Sequence, residues 1–280
     1  MILGGPVFRG FDDPDAFAAE HVKKGYRAAI VPGDLKTGDS EKIRAYKDAF
    51  AKHGIVPAEV GAWCNPLTKD TKEAEKNINY IIERLALADE IEARTCVNII
   101  GSWHPSHWYG PDATNFGKDF FDHAVDVYRK IIDMVKPART KMSFEIMPYC
   151  FLDGAAEYVR FMKAVDRKEA AIHFDPANCI NCPRLLYDNA DFLKSELALL
   201  KGNIASIHLK DLTLHPEPPA VHLEEVPIGM GFMDYVSLLT ILNDLPADTP
   251  AMLEHLPNEE TYDMAAANVR RFAKEAHVSV

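Results

Sequence analysis

The chain has 280 residues, with 31 Lys and Arg against 42 Asp and Glu, a formal net charge of −11 and 48% hydrophobic side chains. It is long enough to bury one large core without disulfides or a structural metal, and its composition is that of an ordinary soluble globular protein. The acidic balance, with no block of five or six Lys or Arg, argues against nucleic acid as a partner, and no apolar run reaches the roughly 18 residues of a membrane span.

The opening MILGGPVFRGFDDPD lacks the basic, apolar and small-residue series of a signal peptide, so a cytoplasmic location is expected. From there, short apolar or β-branched runs alternate with stretches of helical periodicity. Strand 1–8 leads into helix 14–24, strand 26–31 into helix 40–53, strand 55–63 into helix 70–91, and strand 96–101 into helix 115–136. In that fourth helix Phe116, Phe120, Ala124, Val127 and Ile131 recur at spacings of three and four, one apolar stripe facing inward. Strand 141–147 then leads into helix 154–166, strand 170–175 into helix 188–201, strand 204–210 into helix 233–244, and strand 250–256 into helix 259–276.

Eight alternating units with continuous apolar strands predict an α/β fold whose parallel sheet is covered by helices on its outer face. Eight repeats close into a (β/α)8 TIM barrel, which takes about 250 residues and leaves no room beyond a single domain over 1–280. The rival, a doubly wound open sheet, lacks its GxGxxG fingerprint after the first strand. The Pro-rich stretch 212–228 reads as a long loop after the seventh strand, and in a barrel such loops build the active site. The five cysteines are an odd number, which fits a reducing compartment. Cys179 and Cys182 in NCINC have redox or zinc spacing, but no second Cys/His pair completes a zinc site and no helix is expected to open there, so they read as ordinary thiols.

Barrel active sites lie at the C-terminal ends of the strands. There the fifth strand ends with Glu145, the sixth with Asp175, the seventh with His208 and the eighth with Glu254, four potential metal ligands 30, 33 and 46 positions apart. Three carboxylates and a neutral imidazole carry too much charge to stand unpaired in a partly desolvated mouth, and a divalent cation would offset most of it. Oxygen-rich donors with one His suit Mn²⁺ first, with Mg²⁺, Co²⁺ or Zn²⁺ as alternatives.

The segments EIMPYC, HFDPANC, SIHLKDL, PIGMGFMDY and MLEHL resemble the sugar phosphate isomerase/epimerase superfamily with its xylose isomerase-like barrel. The resemblance spans the chain and is strongest from 140 to 260. It implies a Glu-Asp-His-Glu divalent metal site on Glu145, Asp175, His208 and Glu254, and chemistry next to a sugar carbonyl: epimerisation, aldose-ketose isomerisation or inosose dehydration.

The residues themselves agree with that class. A cation gripping a carbonyl oxygen acidifies the neighbouring C–H, and Glu145 and Glu254 are the expected catalytic pair, one abstracting and one returning a proton through an enediolate. Side-chain alternation puts His173 and Lys210 on the same face as the ligands; His173 is expected to be an interior histidine, and Lys210 either binds substrate or pairs with Asp175 or Asp211. His255 is expected to point toward the helices. The loop GSWHPSHWYGP offers Trp103, His104 and Trp108 as substrate contacts, Trp63 ends the third strand, and Gly229 and Gly231 precede the seventh helix with amides that a phosphate could use, although a plain helix entry is the simpler reading. Asn178 in DPAN stands where ketose 3-epimerases of the family often carry His; it joins the substrate-binding set and opens dehydratase or lyase activity as an alternative. The expected partner is a small sugar or keto-sugar, with no nucleic acid or membrane, a homo-oligomer left open, and a non-catalytic sugar-binding protein as the rival from another class.

Overall fold

The computed structural model describes residues 1–11, 13–200, 202–217 and 220–280, and in it eight parallel strands close into a barrel. In chain order the strands are β1 (Ile2–Gly4), β2 (Ala28–Ile30), β3 (Val56–Gly61), β4 (Thr95–Ile99), β5 (Lys141–Glu145), β6 (Ala170–Phe174), β7 (Ile204–Leu209), β8 (Asp211–Leu214), β9 (Leu223–Val226) and β10 (Pro250–Leu253). All but β8 and β9 form the barrel, and β10 pairs with both β7 and β1 to close it.

The helices are α1 (Pro14–Lys23), α2 (Ser40–His53), α3 (Thr71–Ile91), α4 (Lys118–Val135), α5 (Ala155–Val165), α6 (Pro183–Tyr187), α7 (Asn189–Leu200), α8 (Tyr235–Leu242) and α9 (Glu259–Glu275). Their starts are written locally: Asp13, Asp39, Asp70, Asp234 and Asn258 each accept a first-turn amide at the N-cap. Between barrel and helices lies the main core, where Phe144 of β5 meets Tyr128 of α4 and Phe161 of α5 edge-on, with centroids 4.7 and 5.2 Å apart. Inside the barrel floor sits a separate small cluster, Ile2, Ala28, Ala58 and Met252. Filled by side chains, the barrel leaves its chemistry to the upper rim.

Two register shifts decide which side chains reach that interior. Ala29 pairs with Pro57 but Ile30 with Glu59, and Ile172 pairs with Ile204 but His173 with Ser206. Each skips one residue, Ala58 or Ala205, as a β-bulge does, and a bulge reverses the alternation beyond it. Glu59 and Ser206 are thereby turned toward the barrel axis.

The fold departs from the sequence expectation at its edges. The stretch 212–228 is more than a loop: β8 and β9 pair antiparallel across it, Asp211 opposite Val226 and Leu214 opposite Leu223. Phe116 does not join the apolar stripe of α4; it ends a 3₁₀ turn before Gly117 and is 51% exposed. Cys182 does precede a helix, at the N-cap of the five-residue α6. Lys201, predicted to end the seventh-strand approach helix, and Pro218 and Pro219 of the predicted loop lie outside the described residues. Among those described, no helix is long and apolar enough to cross a membrane.

Candidate active site

Glu145 ends β5, Asp175 follows β6, His208 is the penultimate residue of β7 and Glu254 follows β10. One ligand atom from each lies within 4.8 Å of all the others, so the four residues predicted from the strand ends converge. Three of them are buried and Glu254 is half-buried. His208 Nδ1 is 2.9 Å from Glu254 Oε2 and 3.4 Å from Glu145 Oε1. Asp175 Oδ1 accepts the amides of Ala177 and Asn178, which fixes its rotamer and leaves Oδ2 facing the cluster.

Lys210, one layer nearer the mouth, is buried with its ammonium 2.9 Å from Asp175 Oδ2, 2.7 Å from Glu254 Oε2, 3.6 Å from Glu225 Oε1 and 3.7 Å from Glu145 Oε1. Asp211, its other expected partner, is engaged elsewhere. Burial pushes the Glu145 carboxyl up, and the neighbouring Glu254 charge adds to this, to about 7. Burial acts on Glu254 too, but the His208 imidazole and the Lys210 ammonium outweigh it and hold that carboxyl well below its usual range.

The donor set fits a divalent cation. Asp175 Oδ2 and Glu254 Oε2 are buried and face the cluster, each with the Lys210 ammonium beside it and Glu254 Oε2 with the His208 ring as well. Three hard carboxylates and one imidazole nitrogen are the complement of an oxygen-preferring ion.

The cavity above the cluster has a volume of about 620 Å³ and a lining of two kinds of residue. The apolar part is Trp63, Ile99, Trp108, Tyr109, Met147, Pro148 and Tyr149; the polar part is Glu145, Asn178, Lys210, Glu225, Glu254 and His255. A larger cavity of about 720 Å³ lies at the N-terminal strand ends, the stability face of such a barrel, and the four-residue cluster is not part of its lining. Asn178 donates from Nδ2 to Glu145 Oε1 and to the Ile146 carbonyl, both at 3.1 Å, so it orients Glu145.

Two expected substrate contacts are not in this cavity. Trp103 turns its ring edge onto Phe120 of α4 at 5.1 Å, with the Lys69 ammonium over it, and His104 Nδ1 accepts the amides of Ser106 and His107. Both therefore shape the loop after β4, whose tip presents Trp108 and Tyr109. Asn115 secures that loop by donating to Ser102 Oγ at 2.9 Å, the Gly110 carbonyl at 3.2 Å and the Tyr149 carbonyl at 3.0 Å.

His255 is corrected in the opposite sense. Its φ of 58° breaks the strand alternation, so the ring turns to the cavity, where Nδ1 is 2.9 Å from Glu225 Oε2 and Nε2 3.5 Å from Glu254 Oε1. Glu225 belongs to β9, which the sequence reading left as loop. Gly229 and Gly231 offer no free amides to a phosphate: both donate to Asp211 Oδ2, at 2.9 and 3.0 Å, while Met233 N–H donates to Oδ1. The plain helix entry is the one observed.

Below the cluster, His173 is the interior histidine expected, its Nδ1 2.6 Å from Ser206 Oγ, its ring 3.9 Å from that of His208 and its pKa lowered to about 3 by burial and then by His208. Glu59, buried beside both rings, escaped sequence reasoning because alternation in VPAEVG assigns it to the helix side.

The sequence profile of the xylose isomerase-like TIM barrel family matches residues 18–272, and the chain belongs to that family. Among solved structures it is similar to the probable 3-DHS dehydratase AsbF of petrobactin synthesis from Bacillus anthracis, with TM-score 0.71 and 13% identity over 96% of this chain and 97% of that one. It is similar to D-psicose 3-epimerase from Clostridium cellulolyticum, with TM-score 0.71 and 12% identity over the whole of both chains, 100% of each. A xylose isomerase-like TIM barrel protein from Mycobacterium smegmatis in complex with magnesium has TM-score 0.64 and 16% identity over 93% of this chain and 88% of that one. At such identities the likeness establishes the fold. No curated protein sequence matches the chain.

Proposed function

We propose that the protein is a divalent-metal-dependent isomerase or epimerase of a small sugar or keto-sugar, moving a proton on the carbon next to a carbonyl through an enediolate. The observation that carries this reading is the convergence of Glu145, Asp175, His208 and Glu254 within 4.8 Å at the barrel mouth. The oxygen-rich donor set favours Mn²⁺, then Mg²⁺, Co²⁺ or Zn²⁺, and the magnesium in the Mycobacterium relative supports a hard ion. The epimerase and dehydratase among the similar structures support carbonyl-adjacent chemistry in carbohydrate metabolism. Five free thiols are in keeping with a cytoplasmic setting.

When bound, the cation supplies the positive charge that acidifies the C–H beside the carbonyl and offsets the enediolate. Glu254 accepts the proton on one side of the substrate, and Glu145 returns one on the other. Asn178 holds Glu145 in place, and Lys210 donates to the oxygen on which negative charge develops. The flat side of the sugar rests on the aromatic wall of Trp63, Trp108 and Tyr149.

A second reading, elimination of a group β to the carbonyl, is favoured by the Glu225–His255 pair, which adds a proton-handling group that a two-carboxylate transfer does not need. Metal analysis of the purified protein tests the shared premise. One ion per chain is expected, lost in His208→Ala and Asp175→Ala, with a lower melting temperature in chelator for the wild type alone, because an ion that binds only the native state stabilises it. Full occupancy in both variants would remove the four-residue site.

A further inference from the structure

The His208 ring presents only one nitrogen to the four-residue cluster. Its Nδ1 faces Glu254 and Glu145, at 2.9 and 3.4 Å, while Nε2 on the far side of the ring is 3.3 Å from Glu59 Oε2. Glu59 is 2% exposed and reaches the axis only through the bulge in β3. Its ion-pair partners among the described residues are two imidazoles: His208, and His173, whose Nδ1 is 3.5 Å from Oε1. Among the described residues, no Lys or Arg pairs with it. A carboxylate in such a place is costly unless a donor is aimed at it, and a bulge beside a site is a device for aiming a side chain.

We propose that Glu59 is a positioning residue for the metal centre: it accepts the Nε2–H of His208 and so fixes the tautomer whose Nδ1 lone pair points into the cluster. This rests on the reading of Glu145, Asp175, His208 and Glu254 as a metal site. A neutral imidazole carries one N–H, and a ligating nitrogen must be without it, so the proton belongs on the other nitrogen. A carboxylate there holds both the proton and the ring plane, and raises the basicity of the ligating atom. His173 has its Nδ1 engaged by the Ser206 hydroxyl, at 2.6 Å, and its Nε2 has no hydrogen-bond partner.

The geometry also contains the rival. Glu59, His173 and His208 offer three ligand atoms within 4.8 Å of one another, so a cation could sit there instead, and His208 would then need a bare Nε2. The two arrangements demand opposite tautomers.

Calorimetric titration of Mn²⁺ into chelator-stripped wild type, Glu59→Leu, Glu59→Gln and Asp175→Ala separates them, alongside the ¹⁵N spectrum of the His208 ring in Mg²⁺-loaded wild type. The expected results are one Mn²⁺ per chain in the wild type, affinity about 10–100-fold weaker in Glu59→Leu, and partial recovery in Glu59→Gln, whose amide oxygen still accepts an N–H. The spectrum should show the proton on Nε2. Unchanged affinity in Glu59→Leu, a proton on Nδ1, or two Mn²⁺ per chain with one lost in Glu59→Leu would each overturn the proposal. If Glu59→Leu does not fold, Glu59→Gln and the wild-type spectrum decide it. Undiminished binding in Asp175→Ala would overturn the metal site itself, whereas loss there with none in Glu59→Leu would overturn the role of Glu59 alone.

Discussion

His255 Nδ1 lies 2.9 Å from a carboxylate oxygen of Glu225, a link across 30 residues that ties the β8–β9 hairpin to the end of β10. It depends on the left-handed backbone of His255, at φ 58°, a conformation that costs a non-glycine residue energy and is held where surrounding contacts enforce it. The pair lines the cavity together with Glu254, whose Oε1 is 3.5 Å from His255 Nε2.

If the reaction is the elimination that this pair favours, His255→Gly and Glu225→Gln should each lower kcat by about 10²-fold while the protein still binds its metal ion. Glycine adopts the backbone without strain, so the loss belongs to the imidazole. Steady-state kinetics with metal analysis checks this; unchanged kcat in both variants would confine the pair to a structural part.

The two tryptophans of the loop after β4 should separate cleanly. Trp108→Ala removes a cavity wall and should raise KM about 10-fold with little change in kcat. Trp103→Ala removes an edge contact to Phe120 and should leave KM unchanged while lowering stability by about 2–4 kcal/mol in urea denaturation.

Gly231→Ala should destabilise the approach to α8. A Cβ there would run into Asp211 Oδ1 and the Leu212 carbonyl, so the four amides gathered on Asp211, those of Leu212, Gly229, Gly231 and Met233, must part. The cost should be about 1–3 kcal/mol, read as a lower melting temperature.

Histidine burial sets one pH dependence. His21 is on the buried face of α1 with Nδ1 2.8 Å from the Phe17 carbonyl, and burial lowers its pKa below the usual 6.5. As pH falls below about 6.5 the unfolded chain takes up a proton that the folded one refuses, so this group's contribution weakens toward acid, by up to about 1.4 kcal/mol per pH unit. Glu145, with its raised pKa, acts in the opposite direction over part of this range, but equally in a variant at His21. Urea denaturation between pH 5 and 6.5 should show stability rising less steeply with pH in His21→Gln than in the wild type; parallel slopes would contradict the burial argument.

The barrel was legible because its strands and helices carry period-two and period-3.6 patterns bounded by caps such as Asp70 and Asn258. Glu145, Asp175, His208 and Glu254 were legible because a barrel places its chemistry at strand ends, which the repeat spacing locates. What stayed hidden depended on exceptions to alternation. Glu59 is turned inward by a bulge that no residue in VPAEVG announces, and His255 is turned to the cavity by a positive φ at a residue type that tolerates it. Glu225 joins the site through a hairpin whose Pro-rich sequence reads as irregular. Trp103 and His104 were indistinguishable in sequence from Trp108; only the Asn115 and Ser102 hydrogen bonds decide which ring faces the cavity.

Transfer of a substrate proton by Glu145 and Glu254 is tested most directly by solvent deuterium uptake. A panel of ketoses and keto-glycosides incubated in deuterated water with wild-type protein should include one that gains deuterium at the carbon next to its carbonyl. Glu145→Gln and Glu254→Gln, which keep the side-chain shape but cannot carry the proton, should each slow that uptake by about 10²–10⁴-fold. Uptake that proceeds undiminished in both variants would contradict the assignment of the two carboxylates as the proton-transfer pair.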